Sequence, residues 1–426
     1  MEKGNSGTFE LTGIPQIYAE NPVKLFVSFP LCISHQPPIT SLNRRFTRKL
    51  HAKMRKCEAK MSAENSSNVI NVTRIEGIDL FCGVGGLSCG LATQGVRVVA
   101  GIDVDPACQY PYEANHEGAK FLLRDIATVS GEELKALWSP GAVRLLAGCA
   151  PCQPFSSYAN TATVDKAKWR LLREFARLVD ESQPDLVTME NVPRLQQAQP
   201  FKVFLRALKR GRYQVAYAVV NAADYGAPQQ RKRLVLVASR LGPVEVPEPT
   251  HKGPENWVTV RKAVGHLKKL KDGQSCKSDP LHIASTLSEL NRARIRTSKP
   301  GGTWRDWPDH LVAACHQRES GKHSAGVYGR MEWDKPAPTM TTLCNGYGNG
   351  RFGHPEQHRG ISLREAAIFQ SFPETYRFTR EGDKVVIKTV ARLIGNAVPP
   401  KLGEAVAKAL YASVPAISGD ATAAGG

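Results

Sequence analysis

From residue 74 onward, short apolar runs alternate with amphipathic segments, and this alternation leaves few architectures open. Candidate strands fall at residues 75–79, 98–103, 143–147, 186–190, 213–221 and 234–238. Between them the spacing predicts helices. Ser130 and Glu133 form a capping box, and Leu171, Leu172, Phe175, Leu178 and Val179 share one helical face. Strand and helix in alternation predict an α/β fold, a mostly parallel, doubly wound sheet. No internal repeat is present.

The alternation stops near residue 241. Residues 251–353 are rich in Gly, Pro, Trp, Thr and Asn and carry 17 Lys/Arg against 9 Asp/Glu, a local net of +8. Such a stretch reads as a basic, irregular insertion. Order returns at Ser362, which forms a second capping box with Glu365 and starts a helix through Ser371, followed by a final helix with Leu402, Ala405, Val406, Ala409 and Leu410 on one face. The expected organisation is therefore a main lobe at 66–245, an inserted smaller domain at 246–355, a return to the lobe's sheet at 356–412, and a tail at 413–426. Residues 1–65 lack sustained periodicity, and residues 41–60 hold eight Lys/Arg against the single acid Glu58. They read as an extension outside the packed fold, with Met61 or Met54 the expected native start.

Charge narrows the partners. Lys plus Arg exceed Asp plus Glu by 57 to 39, a formal +18, which favours a polyanion such as nucleic acid. No run approaches the roughly 20 apolar residues of a membrane span, so no membrane partner is expected. The ten cysteines are scattered along the chain, as reduced thiols in the cytosol would be.

Three stretches carry chemistry. The run from Ile78 to Ser88 holds Gly83, Gly85 and Gly86 in a turn between strand and helix, where a ligand can approach the backbone closely. About twenty residues later, Asp103 ends the next strand, where an acid can accept hydrogen bonds from a ribose. A dinucleotide site would want a third glycine where Ser88 stands, so a nucleoside cofactor without phosphates fits better. Cys149 and Cys152 form a CxxC after a buried strand. Its plain readings are a redox dithiol, half a zinc site, or buried small side chains, and no second ligand pair supports a zinc. Glu190 and Asn191 end the fourth strand, on the edge where such sheets bind ligands.

Taken in order, Asp79 to Gly86, Pro151-Cys152-Gln153, Glu190-Asn191-Val192, Gln229 to Arg233, Arg364 to Pro373 and Gly395 to Pro399 resemble the ordered motifs of the DNA cytosine-5 methyltransferases, over about residues 74–412. Two positions depart from the family's usual pattern. Leu393 stands where Gln is usual, and Cys149 where Gly or another small residue is common.

The resemblance implies a fold, a reaction and a set of residues. The fold would be the Rossmann-like methyltransferase sheet with an inserted target-recognition domain, the cofactor S-adenosyl-L-methionine, and the substrate cytosine in double-stranded DNA, flipped out of the duplex. Cys152 would add to C6 of the base as nucleophile, since C5 alone is too weak a nucleophile to take a methyl group. Glu190 would hold or protonate N3, Arg231 would help fix the cytosine, and Arg233 would position the site loop. Phe81 would pack on the adenine beside Gly83, Gly85, Gly86 and Val104. Asp103 would hold the ribose, Asp125 and Ile126 would contact the adenine, and Leu171 and Asn396 would line the pocket; no metal enters. In the insertion, Arg292, Arg294, Arg296, Arg305, Arg318 and Arg330 would meet phosphate or guanine, phosphate being the commoner contact. A monomer in the bacterial cytoplasm, associated with the nucleoid and with or without a companion restriction endonuclease, completes the picture. Other readings stay open here: the same chemistry on transfer RNA, a nicotinamide-dependent oxidoreductase using the CxxC, and a DNA-binding protein without activity.

Overall fold

The computed structural model describes residues 74–151, 170–322 and 326–415. The expected extension, its start at Met61 or Met54, Cys152, and most of the tail lie outside the described residues. Seven strands form the main sheet among the described residues: β1 (Ile75–Leu80), β2 (Arg97–Asp103), β3 (Lys120–Leu123), β4 (Val143–Gly148), β5 (Leu186–Asn191), β6 (Gln214–Asn221) and β7 (Lys232–Ser239). Their order is β3-β2-β1-β4-β5-β7-β6. The first five pair in parallel, and β7 runs antiparallel to both β5 and β6.

Burial on both faces explains the continuous apolar runs. Along β7, Val235 and Val237 join one core layer while Leu234, Leu236 and Ala238 join the other, as period-two geometry requires. The helices supply the covering faces. They are α1 (Gly86–Thr93), α2 (Gln109–Asn115), α3 (Gly131–Lys135), α4 (Arg170–Ser182) and α5 (Gln199–Arg210). On α4, Leu172, Phe175, Leu178 and Val179 are buried, and Phe175 meets Phe204 of α5 at 5.1 Å between ring centroids. The Ser130 to Glu133 capping box forms at the start of α3. Strand β3 has no counterpart among the sequence candidates, because it is a four-residue edge strand with two of its positions exposed.

The insertion contributes the short helix α6 (Val260–Val264), the hairpin β8 (Ser275–Cys276) and β9 (Asp279–Ile283), and α7 (Glu289–Thr297). It does not stand apart throughout. Val260, Val264, Leu281, Met331 and Met340 belong to the same core layer as α1, whereas Trp304, Trp307 and Leu311 form a small cluster of their own. The chain then returns as α8 (Leu363–Phe369), α9 (Ile387–Asn396) and α10 (Pro400–Ala412). Helix α8 is capped by Ser362 with Glu365 and ends two residues before the expected Ser371. The return was expected to complete the sheet. It adds helices over one face instead, with no strand among its described residues: α10 lies so close to α1 that a Cβ on Gly90 would sit 2.1 Å from the Pro400 carbonyl oxygen. No helix among the described residues is long and apolar enough to cross a membrane.

Candidate active site

The parallel strands bring their carboxyl ends to one edge, where Gly83, Asp103 and Glu190 lie. Phe81 follows β1 with φ of +56°, and Gly83 with φ of +54°. A Cβ on Gly83 would meet nothing within 4 Å, so the backbone there faces open space. The other two glycines serve packing. A Cβ on Gly85 would lie 2.1 Å from His116 Nε2, and one on Gly86 2.1 Å from the Val398 carbonyl oxygen. Close approach of a ligand is thus supported at Gly83, and close approach of protein at Gly85 and Gly86. Ser88, in place of a third glycine, donates its hydroxyl to Asp79 Oδ2 at 2.7 Å and lies 3.0 Å from the Tyr112 hydroxyl. Burial pushes the Asp79 carboxyl up to about 7.

Asp103 ends β2 partly exposed. Its Oδ2 accepts from the Gly83 amide and its Oδ1 from the Asp105 amide, both at 2.9 Å. Burial raises its pKa even so. Each oxygen keeps a second lone pair, so the carboxylate is locked in place and still able to accept from a ribose. Beside it Val104 is 63% exposed, and Leu123, paired in register with Asp103, is 47% exposed. Two apolar side chains left bare next to a fixed carboxylate suit the flat apolar ring and polar sugar of a nucleoside, and the residues present fit S-adenosyl-L-methionine in this respect. Leu123 was not foreseen, since β3 itself was not. Asp125 spends Oδ1 on capping the turn at Ala127 and faces Arg170 at 3.5 Å through Oδ2. Ile126 is buried in the core, Leu171 packs against that core, and Asn396 is exposed at the end of α9.

The second half of the site lies on β4 and β5. Glu190 is 5% exposed. Its Oε2 accepts from the Cys149 thiol at 2.9 Å, and its Oε1 lies 2.9 Å from Arg233 Nε in an ion pair. That ion pair is not aligned as a hydrogen bond, so buried Oε1 has no hydrogen-bond partner among the described residues. Asn191 Nδ2 donates to the Ala150 carbonyl oxygen at 2.9 Å, tying β5 to the loop that leads to Cys152. Cys152 itself lies outside the described residues.

The two arginines exchange their expected places. Because β7 runs antiparallel to β5, its first residues lie at the carboxyl edge of β5, and it is Arg233 that reaches Glu190. Arg231 is buried and works between segments. Its Nη1 donates to the Met340 carbonyl at 2.7 Å and its Nη2 to the Gly395 and Ala397 carbonyls at 3.1 and 3.3 Å, while Nε has no partner among the described residues. Burial, with Arg233 nearby, lowers it to about 9, still a cation at neutral pH. Gln229 extends the seam: it donates to Phe369 O at 2.9 Å, contacts Gln370 Oε1, and accepts from the Met340 amide at 3.0 Å.

Three of the six insertion arginines are also structural. Arg294 is buried, donates to Leu311 O at 2.8 Å and lies over the Trp307 and Tyr328 rings. Arg330 is buried among the carbonyls of His354, Glu356 and Gln357. Arg292 pairs with Asp272 and Glu289. Arg305 lies over the Trp304 ring, and Arg296 and Arg318 are exposed.

Known proteins resemble this chain in sequence and in fold. The family model described as C-5 cytosine-specific DNA methylase matches residues 75–412. Type II methylase M.HgiDII of Herpetosiphon aurantiacus is 51% identical over 336 residues, covering 78% of this chain and 94% of that protein. Type II methyltransferase M1.HphI of Haemophilus parahaemolyticus is 33% identical over 339 residues, covering 78% and 86%. A solved structure of a prophage-encoded DNA modification methyltransferase from E. coli superimposes with a TM-score of 0.61 at 24% identity, covering 80% of this chain and 99% of that one, a likeness of fold. With a family match that runs from the first strand of the sheet to the last helix, the chain belongs to the C-5 cytosine-specific DNA methylases.

Proposed function

We propose that this enzyme, which transfers a methyl group from S-adenosyl-L-methionine to C5 of cytosine in DNA, does so on a base swung out of the duplex and held by Glu190 and Arg233 for attack by Cys152. The observation that carries the reading is the buried Glu190 carboxyl, fixed at the strand edge with Oε1 lacking a hydrogen-bond partner among the described residues. A cytosine edge offers both an amino donor and the N3 acceptor to such an oxygen. When bound, S-adenosyl-L-methionine supplies an electrophilic methyl group on a sulfonium.

The residues have complementary tasks. The Cys152 thiolate forms an Sγ–C6 bond while Glu190 delivers a proton to N3, and the electron pair of the C5=C6 bond becomes available at C5 for methyl capture. Loss of the C5 proton to a base then expels the thiolate, restores C5=C6, and returns the N3 proton to Glu190. Arg233 holds the carboxyl, and Arg231 holds the segments that close around it. Asp103, with Val104 and Leu123 beside it, would take the nucleoside half of the cofactor, and the Gly83 turn the chain next to it. The exposed Arg296 and Arg318 would meet phosphate. The type II names of the relatives support a place in a restriction-modification pair, and a DNA substrate fits a monomer working in the bacterial cytoplasm beside the nucleoid.

The test uses duplex DNA carrying 5-fluorocytosine, whose fluorine cannot leave as the C5 proton does. With labelled methyl donor the parent enzyme becomes covalently attached to the DNA, and Cys152→Ser does not, while it still binds DNA. A full-strength adduct from the serine variant removes Cys152 from the nucleophile role.

A further inference from the structure

The first cysteine of the CxxC has no part in the reaction just described, yet it touches the carboxylate on which that reaction depends. We propose that Cys149 is a positioning residue for Glu190, its thiol tying down Oε2 so that Oε1 is the oxygen presented to the base. The proposal rests on the reading of Glu190 as the group that holds cytosine.

The geometry supplies the reason. The terminal torsion of a glutamate is broad, with no staggered well to hold the carboxyl plane. Arg233 approaches Oε1 at 2.9 Å out of line for a hydrogen bond, so this contact supplies charge without setting the plane. Among the described residues, the one directional bond on the group is the 2.9 Å contact from Cys149 Sγ to Oε2. A thiol can act so only while it keeps its proton. Burial, with the Glu190 charge next in weight, pushes the Cys149 thiol well above the ordinary cysteine range, so it stays a neutral donor. Placement is equally definite. Gly148, which closes β4, is in register with Met189 of β5, so the residues that follow them, Cys149 and Glu190, reach the same edge. Where a family member has glycine at this position, no side chain is available for this bond, so the tie distinguishes this chain from such relatives.

The bond contributes in the carboxyl's working orientation and adds nothing to the grip on the rest of the DNA. Cys149→Ala should therefore lower kcat about tenfold, the worth of one hydrogen bond to a charged group, with KM for DNA, cofactor affinity and Tm unchanged. Cys149→Ser, whose hydroxyl can donate to the same oxygen, should recover most of the loss. Cys149→Gly provides a second donor-free variant should alanine disturb folding. Under single-turnover conditions with labelled donor, adding Cys149→Ala to Glu190→Gln should cost nothing further, because the residue acts through Glu190. Parental kcat in both donor-free variants, a serine variant no better than alanine, or an equal loss in the Glu190→Gln background overturns the proposal. If Glu190→Gln alone turns over at the parental rate, the reading of Glu190 fails and the proposal with it. If Glu190→Gln is impaired while Cys149→Ala is not, only the proposal fails.

Discussion

Replacing Arg359 by Met should unfasten the return of the chain to the catalytic lobe. Arg359 is fully buried and donates twice to Glu365, Nη1 to Oε2 at 2.8 Å and Nη2 to Oε1 at 2.7 Å, with Nε on Gln357 and Nη1 also on the Gly360 carbonyl. Glu365 serves at the same time as the third residue of the α8 capping box, its Oε2 accepting from the Ser362 amide at 2.7 Å. Burial by itself would raise the Glu365 carboxyl, but the guanidinium and the amide outweigh it and bring it to about 2. Against an ordinary value of 4.5 the difference is worth about 3 kcal/mol. The sign follows from proton uptake. The unfolded chain binds the proton first as pH falls, so this stability is present above about pH 4.5 and is lost as pH drops through about 2. Removing the cation leaves a buried carboxylate unpaired, which costs roughly 3–5 kcal/mol, of the same size as that pKa difference. Urea unfolding at pH 7 should show that loss with an unchanged m-value, and Tm should fall by roughly 5–10 °C. Activity should fall in step on warming, because α8 carries Phe369 and Gln370 to Gln229. Glu365→Gln, which keeps a side chain able to complete the capping box, should lose the parent's decline between pH 4.5 and 2.5. An Arg359→Met variant destabilised by less than about 1 kcal/mol, or a Glu365→Gln variant with the parent's acid decline, would refute the reasoning.

Asp79 acts in the opposite sense and in another pH window. Its folded pKa of about 7 lies above the ordinary 3.8, so the folded protein holds a proton that the unfolded chain has released, and stability falls as pH rises from about 4 to about 7. Asp79→Asn should remove up to about 4 kcal/mol of that slope and make the protein more stable at pH 8; an unchanged slope in urea unfolding contradicts this. In the insertion, Arg296→Ala and Arg318→Ala should weaken DNA binding and each reduce the slope of log affinity on log salt by about one, with Tm unaffected. Arg330→Ala should lower Tm, since its guanidinium is buried among backbone carbonyls; a drop in salt slope without a stability loss would reverse that assignment.

Features decided within one helical turn or one strand were legible in the sequence. The capping boxes at Ser130 and Ser362 bond over three residues, and the two-layer burial of strands such as β5 leaves a run of apolar side chains that needs no knowledge of the neighbours. Ordered motifs likewise marked the Gly83 turn, Asp103 and Glu190 as one edge of one sheet, because parallel strands collect their carboxyl ends there. Strand β3 was missed because a short, half-exposed edge strand carries too little periodicity to stand out. Pairing over long separations belonged to the tertiary structure alone. Whether Arg231 or Arg233 meets Glu190 depends on the antiparallel direction of β7, which residue spacing does not encode. Arg294 and Arg330 looked like DNA contacts by charge, yet rings and carbonyls distant in sequence absorb them. For Cys149 residue type left a dithiol, half a zinc site or a buried small side chain open, and only the register of β4 and β5 sets its thiol against a carboxylate 41 residues away. A side chain's type states which bonds it can make, and only the folded chain decides which partner comes within 3 Å to make them.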